Sequence, residues 1–143
     1  HTNFSRGSQV QERFISCITA EFPNLDFYSC LNREFALMRS DFREGEGKYW
    51  LYDLVLTHPT RLIIEFNGDF WHANPQKYKA TDELNFPKQC KKTAEELWKK
   101  DVLKKQDAEK QGFEMKIVWE SDFNDDPERI IQECKEWILQ KLK

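Results

Sequence analysis

Long apolar runs are missing from this chain of 143 residues. A membrane-spanning helix needs about 20 consecutive apolar residues, whereas the longest run, around residues 62–66, is only a handful; no secretory signal opens the chain. An excess of one charge is missing too. The chain carries 22 Lys+Arg against 25 Asp+Glu, a net −3, so contact with nucleic acid has to rest on local patches. The four cysteines (Cys17, Cys30, Cys90 and Cys134) form no Cys-x-x-Cys pair and have no histidine at zinc-finger spacing. Cys17 and Cys134 fall on apolar helical faces, where a cysteine is ordinarily a small buried hydrophobe. That favours a reducing, intracellular setting over a disulfide framework. Repeats and low-complexity segments are also lacking. What is present, 39% hydrophobic, 14% aromatic and 33% charged residues, suits one soluble α/β-sized domain with a real core. Residues 1–7 read as a flexible tail or cut end, and 8–143 as a single domain.

The first helix is expected to start at Ser8, which stands with Gln11 at capping-box spacing. Val10, Phe14, Cys17, Ile18 and Phe22 make its apolar face, and Pro23-Asn24 ends it. Residues 26–32 and 34–38 read as short strands, and 40–48 as a polar loop. Residues 49–56 and 61–66 are almost continuously apolar strands, as expected where both sheet faces are covered. Residues 74–92 read as mostly irregular. A long helix over 93–110 stops at Gly112, 113–119 is a strand, and Asp126-Pro127 opens a last helix with Ile130, Ile131, Cys134, Trp137, Ile138 and Leu142 inward. The order predicts an α/β fold, a mixed β-sheet flanked by helices.

Two carboxylates interrupt the strongest strands. With His58-Pro59-Thr60 as a hairpin loop, paired positions sum to 118, which sets Asp53 opposite Glu65. Two opposed anions in a half-buried sheet repel and lose hydration; either one takes a proton or a cation sits between them. A hard ion such as Mg²⁺ suits one or two carboxylates plus waters and phosphate oxygens. The competing reading pairs Glu65 with Arg61 or a lysine and points Asp53 at solvent. Asp101 lies in the apolar arc of the 93–110 helix, where it either pairs with Lys105 or orients a histidine. The histidine on offer is His72, just past the Glu65 strand and placed to activate water. His1 and His58 receive no role. Residues 77–110 hold ten lysines against seven acids, with Tyr78, Phe86, Phe70 and Trp71 interleaved.

Asp53 followed by Glu65-Phe66-Asn67 resembles the core of the PD-(D/E)xK nucleases, the restriction-endonuclease-like fold. The run from Glu65 to His72, then Asp101, Gly112 and Ile117-Val118-Trp119-Glu120, resembles the very-short-patch-repair endonucleases and, most nearly in pattern, the EDxHD homing endonucleases. The resemblance implies Mg²⁺-dependent cleavage of double-stranded DNA, with Mn²⁺ able to substitute, inside a bacterial or phage-infected cell. It makes Glu12, Asp53, His72 and Asp101 the catalytic set and Asn67 the variable position where a lysine usually stands. Metal would be held by Asp53 with Glu65 or the Phe66 carbonyl. Lys99, Lys100, Lys104 or Lys105 would replace the missing lysine at the phosphate, and Trp71 would contact DNA. The repair enzymes carry a histidine at the Asn67 position and a cysteine at Asp69, and their zinc pattern is not visible after His72, so mismatch specificity is not carried over. Sequence-specific binding implies a separate recognition element. The other readings are a repair or restriction-like nuclease of the same fold, or a non-catalytic nucleic-acid-binding module.

Overall fold

The computed structural model describes residues 6–44 and 47–143. In chain order the elements are α1 (Arg6–Glu21), β1 (Tyr28–Ser29), β2 (Phe35–Met38), β3 (Tyr49–Tyr52), β4 (Leu54–Leu56) and β5 (Leu62–Asn67). They continue with β6 (Glu83–Phe86), a 3-10 turn (Pro87–Gln89), β7 (Cys90–Thr93), α2 (Ala94–Lys110), β8 (Glu114–Trp119), α3 (Glu120–Asp125) and α4 (Pro127–Lys141). The central sheet has the order β1-β4-β5-β8; β4 runs antiparallel to β1 and β5, and β5 runs parallel to β8. This is an α/β fold with a mixed sheet flanked by helices. Among the described residues no helix is long and apolar enough to cross a membrane.

Side-chain alternation along β5 sets the layers, because successive residues point to opposite sheet faces. Leu62, Ile64 and Phe66 pack with Phe14, Ile15 and Ile18 of α1, Phe123 of α3, and Ile130, Cys134 and Ile138 of α4. Phe66 stacks on Phe14 at 5.1 Å and meets Phe123 edge-on at 5.8 Å, and burying such a ring stabilises by about 1.5–3 kcal/mol. Ile63 turns the other way, to Val55, Trp50, Tyr52, Phe113 and Ala108 of α2. Glu65 follows Ile63 on that same face, so the chemistry-bearing residues of β5 look at α2, not at α1.

The expected register holds. Leu54↔Ile64, Val55↔Ile63 and Leu56↔Leu62 all keep the sum of 118, although the ladder stops at Leu56–Leu62, leaving the connection slightly longer than three residues. The helix expected over 93–110 is α2 with Thr93 as its N-cap. Thr93 Oγ1 accepts the Glu96 N–H at 3.2 Å, and Glu96 Oε1 accepts the Thr93 N–H at 2.9 Å, satisfying two orphan donors at once. Gly112, at φ 85°, takes the left-handed turn that ends it. Asp126 caps α4 through the Arg129 N–H at 3.2 Å.

Several expectations give way. The strand expected over 49–56 is two strands in different sheets, since β3 pairs with β2 while β4 joins the central sheet; Asp53 is the bend between them. The helix α1 begins at Arg6, two residues ahead of the expected Ser8 start; residues 1–5 of the expected tail lie outside the described residues, as do 45 and 46 of the expected loop. The strand expected over 26–32 contracts to Tyr28–Ser29. Residues 74–82 are irregular as expected, but beyond them β6 and β7 pair as a hairpin that was not anticipated, with Glu83↔Thr93 through Phe86↔Cys90. The short α3 was not anticipated. Cys17 is exposed, whereas Cys134 is buried as expected, and all four cysteines are free thiols.

Candidate functional site

Where β3 gives way to β4, the Asp53 side chain does a backbone's work: its Oδ2 accepts the Phe66 N–H at 2.8 Å. The N–H and C=O of one strand residue point to the same side, so the Phe66 carbonyl also lies on the Asp53 side of β5. The Phe66 ring goes the opposite way, into the core. Glu65 is 4% exposed and precedes the Phe66 N–H that Asp53 holds, so the Asp53 charge bears on its carboxyl. Burial first, and the Asp53 charge second, push the Glu65 carboxyl well above the ordinary range; the Lys104 ammonium opposes both. Lys104 Nζ stands 3.2 Å from Glu65 Oε1, but off hydrogen-bond geometry, and this buried Oε1 has no hydrogen bond. The Lys104 half of the competing reading is therefore present: Glu65 pairs with a lysine, and Asp53 does not point at solvent.

His72 sits in the turn after β5, held by its own N–H to the Gly68 carbonyl at 3.1 Å. Its Nδ1 lies 2.9 Å from Asp101 Oδ2. In the tautomer whose Nδ1–H donates to the Asp101 carboxylate, the Nε2 lone pair of the ring is free. The Lys105 alternative for Asp101 is not adopted. The turn is fixed on both sides. Trp98 Nε1 donates to the Ala73 carbonyl at 2.6 Å, and Ala73 is fully buried at φ 49°, a strained backbone for alanine. Asp69 accepts Lys77 Nζ at 2.5 Å, Asn74 Nδ2 at 3.3 Å and the Ser121 N–H at 3.4 Å. Burial raises the Asp69 carboxyl, yet these donors outweigh it and hold the group below its ordinary value.

Asp101 and Lys104 are one helical turn apart on α2, so one helix supplies both the partner of His72 and the counter-charge of Glu65. Glu65, Asn67, His72, Asp101 and Lys104, with Met115 and Ile117 of β8, line one pocket of about 10 Å³. That is room for a single water-sized species. Lys99, whose nearest partner is Glu95 at 3.7 Å, is exposed on α2 outside this pocket, as are Lys100 and Lys105. Trp71 is 52% exposed and stacks on Phe86 of the β6–β7 hairpin at 5.2 Å, with Phe70 also against Phe86 at 5.0 Å. Glu12 is exposed on α1; among the described residues no hydrogen bond or ion pair joins it to Asp53, Glu65 or His72.

The donors at Asp53, Glu65 and the Phe66 carbonyl are all hard oxygens, the kind Mg²⁺ and Mn²⁺ accept. A buried carboxylate oxygen that has an ion-pair contact with Lys104 but no hydrogen bond keeps a lone pair free for such an ion. No group of three or more His, Cys, Asp or Glu side chains poised for a metal occurs among the described residues, so water and substrate oxygens would complete the shell. Sequence reasoning did not single out Lys104 from its neighbours, nor the Asp69 clamp; the helical wheel carried the first signal only once the face of α2 was known. Comparison of the chain with protein-family models, curated proteins and solved structures finds no match.

Proposed function

We propose that this domain is a metal-dependent phosphodiester hydrolase acting on DNA, with a restriction-endonuclease-like core. The observation that carries the reading is the buried Glu65 oxygen, lacking a hydrogen bond and close to Asp53, within one small pocket that also holds a carboxylate-oriented histidine. Asp53 and Glu65, with the Phe66 carbonyl, would hold the ion. When bound, a divalent ion supplies Lewis-acid polarisation of a phosphoryl oxygen and neutralises developing charge.

The chain's own residues account for the rest. His72, fixed at Nδ1 by Asp101, offers Nε2 to take a proton from a water at the pocket. Lys104 supplies the positive charge that Asn67 cannot, next to the position where a phosphate would enter. Phe70 and Trp71 are exposed just before His72 and rest on Phe86, α2 carries further exposed lysines, and flat rings with lysines suit a polyanion that carries bases; this supports DNA over a small phosphodiester.

The test is a supercoiled plasmid incubated with Mg²⁺ or Mn²⁺. Nicking or linearisation is expected from the unaltered protein, none above background from Asp53→Ala, and about a 10²–10⁴-fold loss from His72→Ala. Retained DNA binding without any cleavage in either metal would favour a non-catalytic binding module instead.

A further inference from the structure

We infer that Lys104 is the exchangeable cation of this pocket: its ammonium neutralises Glu65 while no divalent ion is bound, and entry of the ion drives it out toward the substrate phosphate. This rests on the metal-dependent reading above and adds to it a residue whose position depends on metal occupancy.

Geometry comes first. Glu65 is 4% exposed next to the Asp53 carboxylate, an arrangement that a proton or a nearby cation relieves, and the Lys104 ammonium stands 3.2 Å from Glu65 Oε1. Among the described residues Lys104 is the cation within 4 Å of it. Room comes next. The pocket admits about one water-sized species, and a magnesium-sized ion binds carboxylate oxygens at about 2.0–2.1 Å. Such an ion on Glu65 Oε1 would sit within a few ångströms of the present Nζ position, where two cations repel strongly.

The lysine is also built to move at its tip alone. Its backbone carbonyl accepts Tyr52 Oη at 2.9 Å, which anchors the helix turn. Its ammonium, by contrast, makes non-directional contacts among the described residues, the Glu65 charge at 3.2 Å and the Tyr52 ring at 4.9 Å. The side chain is 19% exposed, so a flexible four-carbon stem already has a way out to water.

Two measurements test this, neither of which reads activity. In the first, Mn²⁺ binding to the full chain is measured by electron paramagnetic resonance for the unaltered protein, Lys104→Met and Lys104→Gln. The exchange predicts about tenfold tighter Mn²⁺ binding once the competing charge is gone; unchanged or weaker binding overturns it. In the second, lysines of the unaltered protein are acetylated and mapped by mass spectrometry with and without Mg²⁺, which keeps the result independent of how well the variants fold. Labelling of Lys104 is expected to rise several-fold with Mg²⁺ while that of Lys99, already 77% exposed, stays level. A Lys104 rate insensitive to Mg²⁺ overturns the exchange. If the unaltered protein takes up no Mn²⁺ at all, the metal reading itself falls and the exchange with it, whereas Mn²⁺ uptake with an unmoved Lys104 defeats the exchange alone.

Discussion

At Glu65 the folded chain accepts an energetic penalty that ordinary packing avoids. A carboxyl group so buried, beside Asp53, is held well above its ordinary range. Its contribution to the metal-free fold therefore falls as pH rises through that raised value, because the unfolded chain ionises more readily. A glutamine at this position keeps the shape, removes the repulsion from Asp53, and leaves Lys104 able to reach water. Glu65→Gln is thus expected to unfold no earlier than the unaltered protein without metal, in thermal unfolding at neutral pH. The unaltered protein should gain about 2.7 kcal/mol at a hundredfold excess of Mg²⁺ over its dissociation constant, and Glu65→Gln should gain almost none. A variant that loses stability without metal yet still responds to Mg²⁺ would contradict this account of Glu65. The Asp53–Glu65 encounter was legible in the sequence because antiparallel pairing is arithmetic once a hairpin loop is fixed. Lys104 was not, since four lysines fall within seven positions of α2, and only tertiary packing decides which faces β5.

The helix α2 joins two jobs that the sequence alone does not connect. One turn carries Asp101 and Lys104 to the pocket; the next carries Asp107, 5% exposed, to the β2–β3 ribbon. Asp107 Oδ2 accepts Trp50 Nε1 at 2.7 Å and the Ser40 N–H at 3.0 Å, with Lys110 Nζ 4.0 Å from the other oxygen. Burial raises this carboxyl, but the Ser40 and Trp50 donors outweigh it and hold it below its ordinary value. A lowered carboxyl stabilises above the unfolded value of about 4, and that contribution is lost as pH falls through the lower folded value. Asp107→Ala is expected to cost about 1–3 kcal/mol at neutral pH, measured by urea unfolding with tryptophan fluorescence. The gap to the unaltered protein should shrink as pH drops from about 5 to 3; a constant gap would mean the charge on Asp107 does not matter. The β6–β7 hairpin escaped the sequence reading for a physical reason. Its second strand, Cys-Lys-Lys-Thr, is mostly exposed, and so shows no alternation of apolar residues. The hairpin gains its stability by laying Leu84 and Phe86 over Ala73, Ala94, Leu97 and Trp98. That small cluster holds the His72 turn against α2.

Across the whole molecule, the two sheet faces divide the labour. The face toward α1, α3 and α4 is a continuous apolar core, and its helical faces were legible from the 3.6-residue spacing of Phe14, Ile18, Ile130, Cys134 and Ile138. The face toward α2 keeps charged groups at one end, around the buried Glu65 and the half-buried Asp53 and Lys104, and it is there that local patterning fails, because these positions carry groups that a core would exclude. Glu12 stands exposed on α1, on the side of the first face, and does not line the pocket. The proposed activity requires a divalent ion held by Asp53 and Glu65, and diffraction from a crystal soaked in Mn²⁺ tests this most directly. The predicted result is one anomalous peak within about 2.3 Å of carboxylate oxygens from both Asp53 and Glu65, with Lys104 Nζ moved off Glu65. A fully soaked crystal with no peak there, and Lys104 still beside Glu65, would contradict it.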